Sequence, residues 1–173
     1  MANVKERTLV LLKPDAVQRN LVGEIVGRFE RAGLKIVAMK FLLPTKEQIH
    51  AHYKINPSLP EKILDHLANF LSASPVTALV LEGNKAIPIA RKLIGSTEPL
   101  QSDVGTIRGD YTLDSYDLAD KDGRAVRNLV HASASESDVE QEIKVWFKKE
   151  ELVNYRTVRE RILYDVNLDD ILE

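Results

Sequence analysis

Cysteine is absent from the chain, which rules out disulfide staples, thiolate zinc sites and thiol nucleophiles and suits a reducing compartment. Charge of one sign is also lacking: 24 basic side chains face 26 acidic ones, for a net charge of −2. Bulk attraction to nucleic acid or to an anionic membrane is therefore not expected, and any phosphate binding must come from local placement. No uninterrupted apolar run approaches the roughly 20 residues that span a bilayer. The opening MANVKERTLVLL runs straight into an apolar strand, without a signal peptide's apolar region and cleavage site. The expectation is a cytoplasmic protein. There is no G-x-x-x-x-G-K-[ST] loop and no protein-kinase HRD or DFG set, so the common ways of cradling ATP are missing.

What is present is an ordinary globular balance over 173 residues, with no internal repeat, low-complexity linker or composition break. Residues 1–173 therefore read as a single domain. Its core covers about 5–155, with a polar, turn-rich segment at about 113–123 and a C-terminal extension at about 156–173. Residues 8–12 form a continuous apolar run that stops at Lys13-Pro14, the signature of a strand buried on both faces. Val22, Ile25, Val26 and Phe29 mark an amphipathic helix that Gly33 closes. Residues 35–43 read as a second strand.

Two capping patterns follow, Thr45 with Gln48 and Ser58 with Glu61, each opening a helix; the second helix buries Ile63, Leu67, Phe70 and Leu71. Residues 76–81 form a third strand. Asn84 is a candidate N-cap for a helix that carries Arg91 off its apolar stripe and ends at Gly95. Residues 106–109 read as a short fourth strand bearing Arg108. The order strand–helix–strand, helical excursion, strand–helix–strand points to an α+β, ferredoxin-like βαββαβ sandwich: a four-stranded antiparallel sheet covered by helices.

The chemistry concentrates in residues 124–143, RAVRNLVHASASESDVEQEI. His131 stands between a short apolar run and a serine-rich helix start, where either Ser135 or Ser137 opens a capping box. Glu142 shares a helix face with Asp138 and Ser135, so its carboxylate can reach back toward the imidazole. Such a histidine suits phosphoryl acceptance, since an imidazole is largely neutral and nucleophilic near pH 7. Lys13, Arg91 and Arg108 supply three cations with no matching acidic motif, which fits a polyphosphate, with the arginines suited to bidentate contact. His50, His52 and His66 lack a spacing that places two on one helix face with a carboxylate, so no protein metal site is expected.

These segments resemble the nucleoside diphosphate kinase family. RTLVLLKPDAVQRNLVGEIVGRFE, SPVTALVLEG, GTIRGDY, NLVHASAS with its following E-x-x-x-E-I, and WF-x-x-E-E-L-V are similar to that family's signature stretches. The resemblance implies γ-phosphoryl transfer from a nucleoside triphosphate such as ATP to a nucleoside diphosphate through a phosphohistidine, with ping-pong kinetics. It also implies a homo-oligomer, tetramer or hexamer, and Mg²⁺ held mainly by the nucleotide phosphates. By position it makes His131 the nucleophile, Glu142 its orienting carboxylate and Ser133 the support of that glutamate. Tyr53 becomes a ring beside the histidine, and Lys13 and Asn128 lie near ribose and phosphates. Arg91, Thr97 and Arg108 become phosphate positions, and Pro99 falls in a loop that touches neighbouring subunits. The base-stacking position falls near Ile63 or Leu64. Ala132 stands where the family commonly has glycine. Ala134 stands where it often has aspartate, which bears on indirect metal contacts. The 113–123 segment is expected at the cleft mouth or at a subunit interface.

Two rival readings have different signatures. An RNA-recognition sheet needs strand aromatics and a basic face, and the fourth strand offers only Tyr111. A catalytically inactive oligomeric scaffold would have no need of the histidine, glutamate, lysine and arginines together.

Overall fold

Strand β1 (Glu6–Leu12) shows why an unbroken apolar run is needed at the centre of this chain. Successive side chains of a strand point to opposite faces. Val10 and Leu12 enter one core cluster, with Ile25, Phe29, Leu79, Leu81 and Ala90. Leu9 and Leu11 enter the other, with Ile49, Leu71, Val80 and Trp146. A computed structural model describes residues 5–55 and 58–164.

After β1 the chain forms α1 (Pro14–Gln18), α2 (Val22–Arg31) and β2 (Lys35–Leu42). The helical excursion is α3 (Lys46–Tyr53) and α4 (Glu61–Leu71), followed by β3 (Val76–Gly83) and α5 (Ala86–Ile94). Then come α6 (Ile107–Tyr111), α7 (Tyr116–Lys121), β4 (Val130–Ala132), α8 (Glu136–Trp146) and α9 (Arg159–Tyr164). The sheet order is β2-β3-β1-β4 and every pairing is antiparallel, the ferredoxin-like arrangement. Helices α2 and α5 pack on one face, and α3, α4 and α8 on the other. His131 pairs with Leu11 across β4 and β1, so its ring emerges on the α3–α4–α8 side.

Several local expectations are corrected. Residues 106–109 are not a strand: the Thr106 hydroxyl accepts the Gly109 N–H at 3.1 Å and starts α6 after the Gly105 turn. The fourth strand is instead the short stretch containing His131. Lys85, not Asn84, precedes α5, in the left-handed region at φ 50°. The residue preceding α4 is Pro60 rather than Ser58. Ser135, rather than Ser137, caps α8, accepting the Asp138 N–H at 3.1 Å. Phe147 has left the helix at φ −134° yet still packs in the core. Of the C-terminal extension, residues 156–164 are described and 165–173 lie outside the described residues. Among the described residues, no helix is long and apolar enough to cross a membrane.

Candidate active site

The site is built on the turn that leads into β4. Leu129 sits at φ 64°, and the Val130 N–H reaches back to the Asn128 carbonyl at 2.7 Å, closing a three-residue turn. A bulky side chain rarely adopts this conformation, which costs on the order of 1–3 kcal/mol unless the surroundings impose it. Here they do. Asp15 accepts the Leu129 N–H at 3.0 Å, and the Lys13 N–H donates to the Leu129 carbonyl at 2.8 Å. Arg108 grips the turn from the other side: Nε donates to the Asn128 carbonyl and Nη2 to the Val130 carbonyl, at 3.1 and 2.6 Å. Its Nη1 donates to the carbonyls of Gly95 and Ser96, at 3.0 and 2.7 Å. Four of the five guanidinium N–H groups are thus engaged by backbone, leaving one. The bidentate phosphate contact expected of Arg108 is therefore not on offer; it supplies a fixed charge and a single donor.

His131 projects from β4 with 21% of its side chain exposed. Its Nε2 lies 3.1 Å from Glu142 Oε1, and the Ser133 hydroxyl donates to Glu142 Oε2 at 2.5 Å. Ser133 is itself fixed to β1, since its Oγ accepts the Leu9 N–H at 3.3 Å. Behind the imidazole, the His52 and His131 rings meet edge to face with centroids 4.5 Å apart. Tyr53 stands 6.1 Å away, and burial pushes its phenol well above the ordinary range. The Trp146 indole N–H donates to His52 Nδ1 at 3.3 Å. Burial, with the nearby His131 and Lys13 charges, lowers the His52 pKa well below that of a free imidazole. The ring is then neutral with its proton on Nε2.

The cations crowd one another. Lys13 is 5% exposed, and its Nζ donates to Asn128 Oδ1 at 2.7 Å. Burial first, and the Arg108 charge second, lower its pKa to about 8. Burial and Arg91 lower Arg108 to about 10. Asn128 completes the bracket by donating from Nδ2 to the Thr97 carbonyl at 2.8 Å.

These groups face one cavity of about 540 Å³. Lys13, Tyr53, Arg91, Thr97, Arg108, Asn128, His131 and Glu142 all line it, from strand ends, helices and loops far apart in sequence. Ser133 lies fully buried behind Glu142. Ile63 is on the wall but Leu64 is not; Ile55, Leu59 and Leu67 complete that apolar side. Sequence reasoning missed Asp15 and His52, although the Lys-Pro-Asp turn and the His-Tyr pair were there to read. The 113–123 segment does reach the cleft, one of its two expected places, but its lining side chains Tyr116 and Asp120, with Arg124 beyond it, were not legible, since no periodicity marks a polar segment as part of a cleft. His52 does join a potential metal-ligand group after all: its partners, His131 and Glu142, come from other elements, with ligand atoms within 4.8 Å of one another. The Trp146 N–H leaves the His52 proton on Nε2, so a metal would have to displace it.

A family model for nucleoside diphosphate kinase matches residues 6–152. The chain belongs to the nucleoside diphosphate kinase family. It is 42% identical over 160 residues to the nucleoside diphosphate kinase of Staphylococcus epidermidis, covering 92% of this chain and 99% of that one. With the enzyme of Pyrobaculum aerophilum it shares 42% over 179 residues, covering 86% and 98%. A solved nucleoside diphosphate kinase from Borrelia burgdorferi, a transition-state mimic with bound vanadate and ADP, superposes with a TM-score of 0.88. It is 41% identical over 92% of this chain and 96% of that one. The chain is accordingly a nucleoside diphosphate kinase, a nucleotide-binding transferase.

Proposed function

We propose that phosphoryl transfer proceeds in two half-reactions with His131 Nδ1 as the carrier. The observation that supports this most is the Glu142 carboxylate on Nε2. An acceptor-only group keeps the ring proton there, so Nδ1 retains its lone pair in a ring that lines the cavity. Nδ1 attacks the γ-phosphorus, the bond to the bridging oxygen breaks, and its electron pair leaves with the nucleoside diphosphate. The second half-reaction reverses the geometry: a terminal phosphate oxygen of the acceptor attacks, and the N–P bond breaks. Glu142 balances the positive charge the ring gains, and Ser133 holds Glu142. Tyr53 packs beside the ring, Lys13 and Asn128 meet ribose and phosphates, and Arg91 and Thr97 take phosphate oxygens. Arg108 adds charge and one donor. The base lies against Ile63, with Leu59 and Leu67 beside it.

The residues fit a magnesium ion carried by the nucleotide. Among the described residues, only His52, His131 and Glu142 converge as ligands, whereas Mg²⁺ prefers oxygen and retains water. Asp120 and Asp138 line the cavity and would hold its waters. When bound, the ion neutralises phosphate charge. The bound vanadate and ADP of the Borrelia burgdorferi enzyme are in keeping with a nucleotide in this cleft.

We also infer a homo-oligomer, tetramer or hexamer, working in the cytoplasm. Met39, Phe41 and Leu43 stand exposed at alternate positions along and just past edge strand β2, and Leu100 and Val104 are exposed in the Pro99 loop. Light scattering coupled to size exclusion should give four or six chain masses; a monomer would contradict this.

The deciding experiment is incubation with γ-labelled ATP followed by a quench. A base-stable, acid-labile label is expected on the wild type and none on His131→Ala, which should fold but not transfer. Retained turnover in that variant would remove the nucleophile assignment.

A further inference from the structure

Read along the chain, residues 113–126 look like a solvated excursion. Their fold brings them back onto the cleft. Ser115 caps α7 by accepting the Leu118 N–H at 3.2 Å. Tyr116, Ala119 and Asp120, spaced i, i+3 and i+4, then fall on one helix face, and all three line the cavity.

The segment is tied down rather than draped. Asp114 is 6% exposed and receives both Nη atoms of Arg124, at 2.6 and 3.0 Å, together with the Arg127 N–H at 2.6 Å. Two residues after Asp114, the Tyr116 N–H donates to Glu98 Oε1 at 2.9 Å. Glu98 follows Thr97, whose carbonyl holds Asn128. The wall is thereby fixed to the cationic end of the cleft and is in place before any ligand arrives, so little ordering entropy remains to be lost on binding.

Tyr116 is 44% exposed, and its hydroxyl has no hydrogen-bond partner among the described residues. It also acts electrostatically on Arg108, opposing the fall in that arginine's pKa more strongly than Tyr53 does. Tyr116 and Arg108 line the same cavity, and an unpartnered phenol O–H is a donor that a phosphate oxygen can accept from. Asp120, one turn further on, is negative and cannot itself take a phosphate.

We propose that Tyr116 is a further nucleotide ligand, its hydroxyl donating to a phosphate oxygen beside Arg108. This rests on the transfer reading above. The contact is to phosphate and not to the base, because Tyr116 is tied through its N–H to Glu98, next to the phosphate residue Thr97, rather than to the apolar wall of α4.

The test compares Tyr116→Phe and Tyr116→Ala with the wild type, using purine and pyrimidine diphosphates as acceptors and ADP affinity by calorimetry. Loss of one hydrogen bond to a charged oxygen should cut kcat/KM about tenfold in Tyr116→Phe, by the same factor for every base, with ADP binding weakened alike. Tyr116→Ala should be little worse. A Tyr116→Phe enzyme equal to wild type would overturn the proposal, as would a loss confined to Tyr116→Ala and dependent on the base, which would make the ring a stacking surface. Phosphohistidine labelling of the wild type separates the two readings. A wild type that labels normally while Tyr116→Phe is silent overturns only the tyrosine; a wild type that never labels overturns the transfer scheme and the tyrosine with it.

Discussion

The two arginines of the cleft illustrate how far identical side chains can differ in role. Arg91 is exposed at the last turn of α5, free to meet a ligand. Arg108 is 7% exposed and bound to four carbonyls that join the end of α5 to the turn before β4. Arg91→Ala should therefore lower kcat/KM without changing the melting temperature. Arg108→Ala should lower both, with a stability loss of about 3 kcal/mol or more from the orphaned carbonyls and the released turn. His66→Ala, at a residue that does not line the cavity, should do neither. Thermal melts and steady-state kinetics on the three variants check this. Lys13 adds a pH dependence. Its folded pKa is about 8, so kcat/KM should decline as pH rises through that value and the ammonium is lost. The sign for stability is opposite. The unfolded chain holds this proton up to the model-compound value of 10.5, so between about 8 and 10.5 it binds more protons and this lysine favours folding increasingly with pH. A kcat/KM profile flat to pH 9.5 would deny Lys13 a cationic role.

At the scale of elements, α8 works as a lever for Glu142. Its N-terminus is fixed by Ser135, and Val139, Glu142 and Trp146 form its buried side. Ser135→Ala should cost about 1 kcal/mol, the ordinary worth of a cap, as measured by urea denaturation. Helix α6 is more exacting. A Cβ on Gly109 would collide with the Asp103 carbonyl oxygen, a backbone atom that cannot swing aside. Gly109→Ala should thus displace the preceding Arg108 and depress turnover at least as much as stability. An enzyme as active as wild type would show that the four-carbonyl grip tolerates a shift.

Across the whole molecule, the C-terminal extension is joined to the sheet by a buried charge cluster. Lys35, 6% exposed at its side chain, contacts Glu82 and Glu160, each at 2.9 Å, and donates to the Tyr155 carbonyl at 2.6 Å. Lys35→Ala would leave two buried carboxylates facing each other and should destabilise the fold by about 3–5 kcal/mol. Lys35 and Arg7 hold the Glu82 carboxyl below its usual range, and Lys35 and Lys5 do the same for Glu160, each against the opposing effect of burial. Their contribution is present above the unfolded value of 4.5 and is lost as pH falls through the depressed one. Acid denaturation of the wild type should accordingly be steeper than that of a Glu160→Gln variant.

Helices α2, α3, α4, α5 and α8, three of the four strands and the α+β order followed from periodicity, caps and breakers, because those signals act over a few residues and need no distant partner. Residues 76–81 and the apolar run at 8–12 are examples: nothing but a strand covered on both sides accommodates them. The fourth strand was misplaced because three residues carry no period, and because a threonine cap three residues before a glycine looks the same as a strand end. Which residue types would do the chemistry was legible as well, since an imidazole, a carboxylate and three cations have few other joint uses. Their arrangement was not. The pinned turn at Leu129, the four carbonyls that occupy Arg108, the indole that sets the His52 tautomer and the return of Tyr116 to the cleft each join distant positions, such as Arg108 and Ser96, 12 residues apart, and Asp15 and Leu129, 114 apart. Only the closing of the sheet between its two layers of helices brings such groups within a hydrogen bond's length.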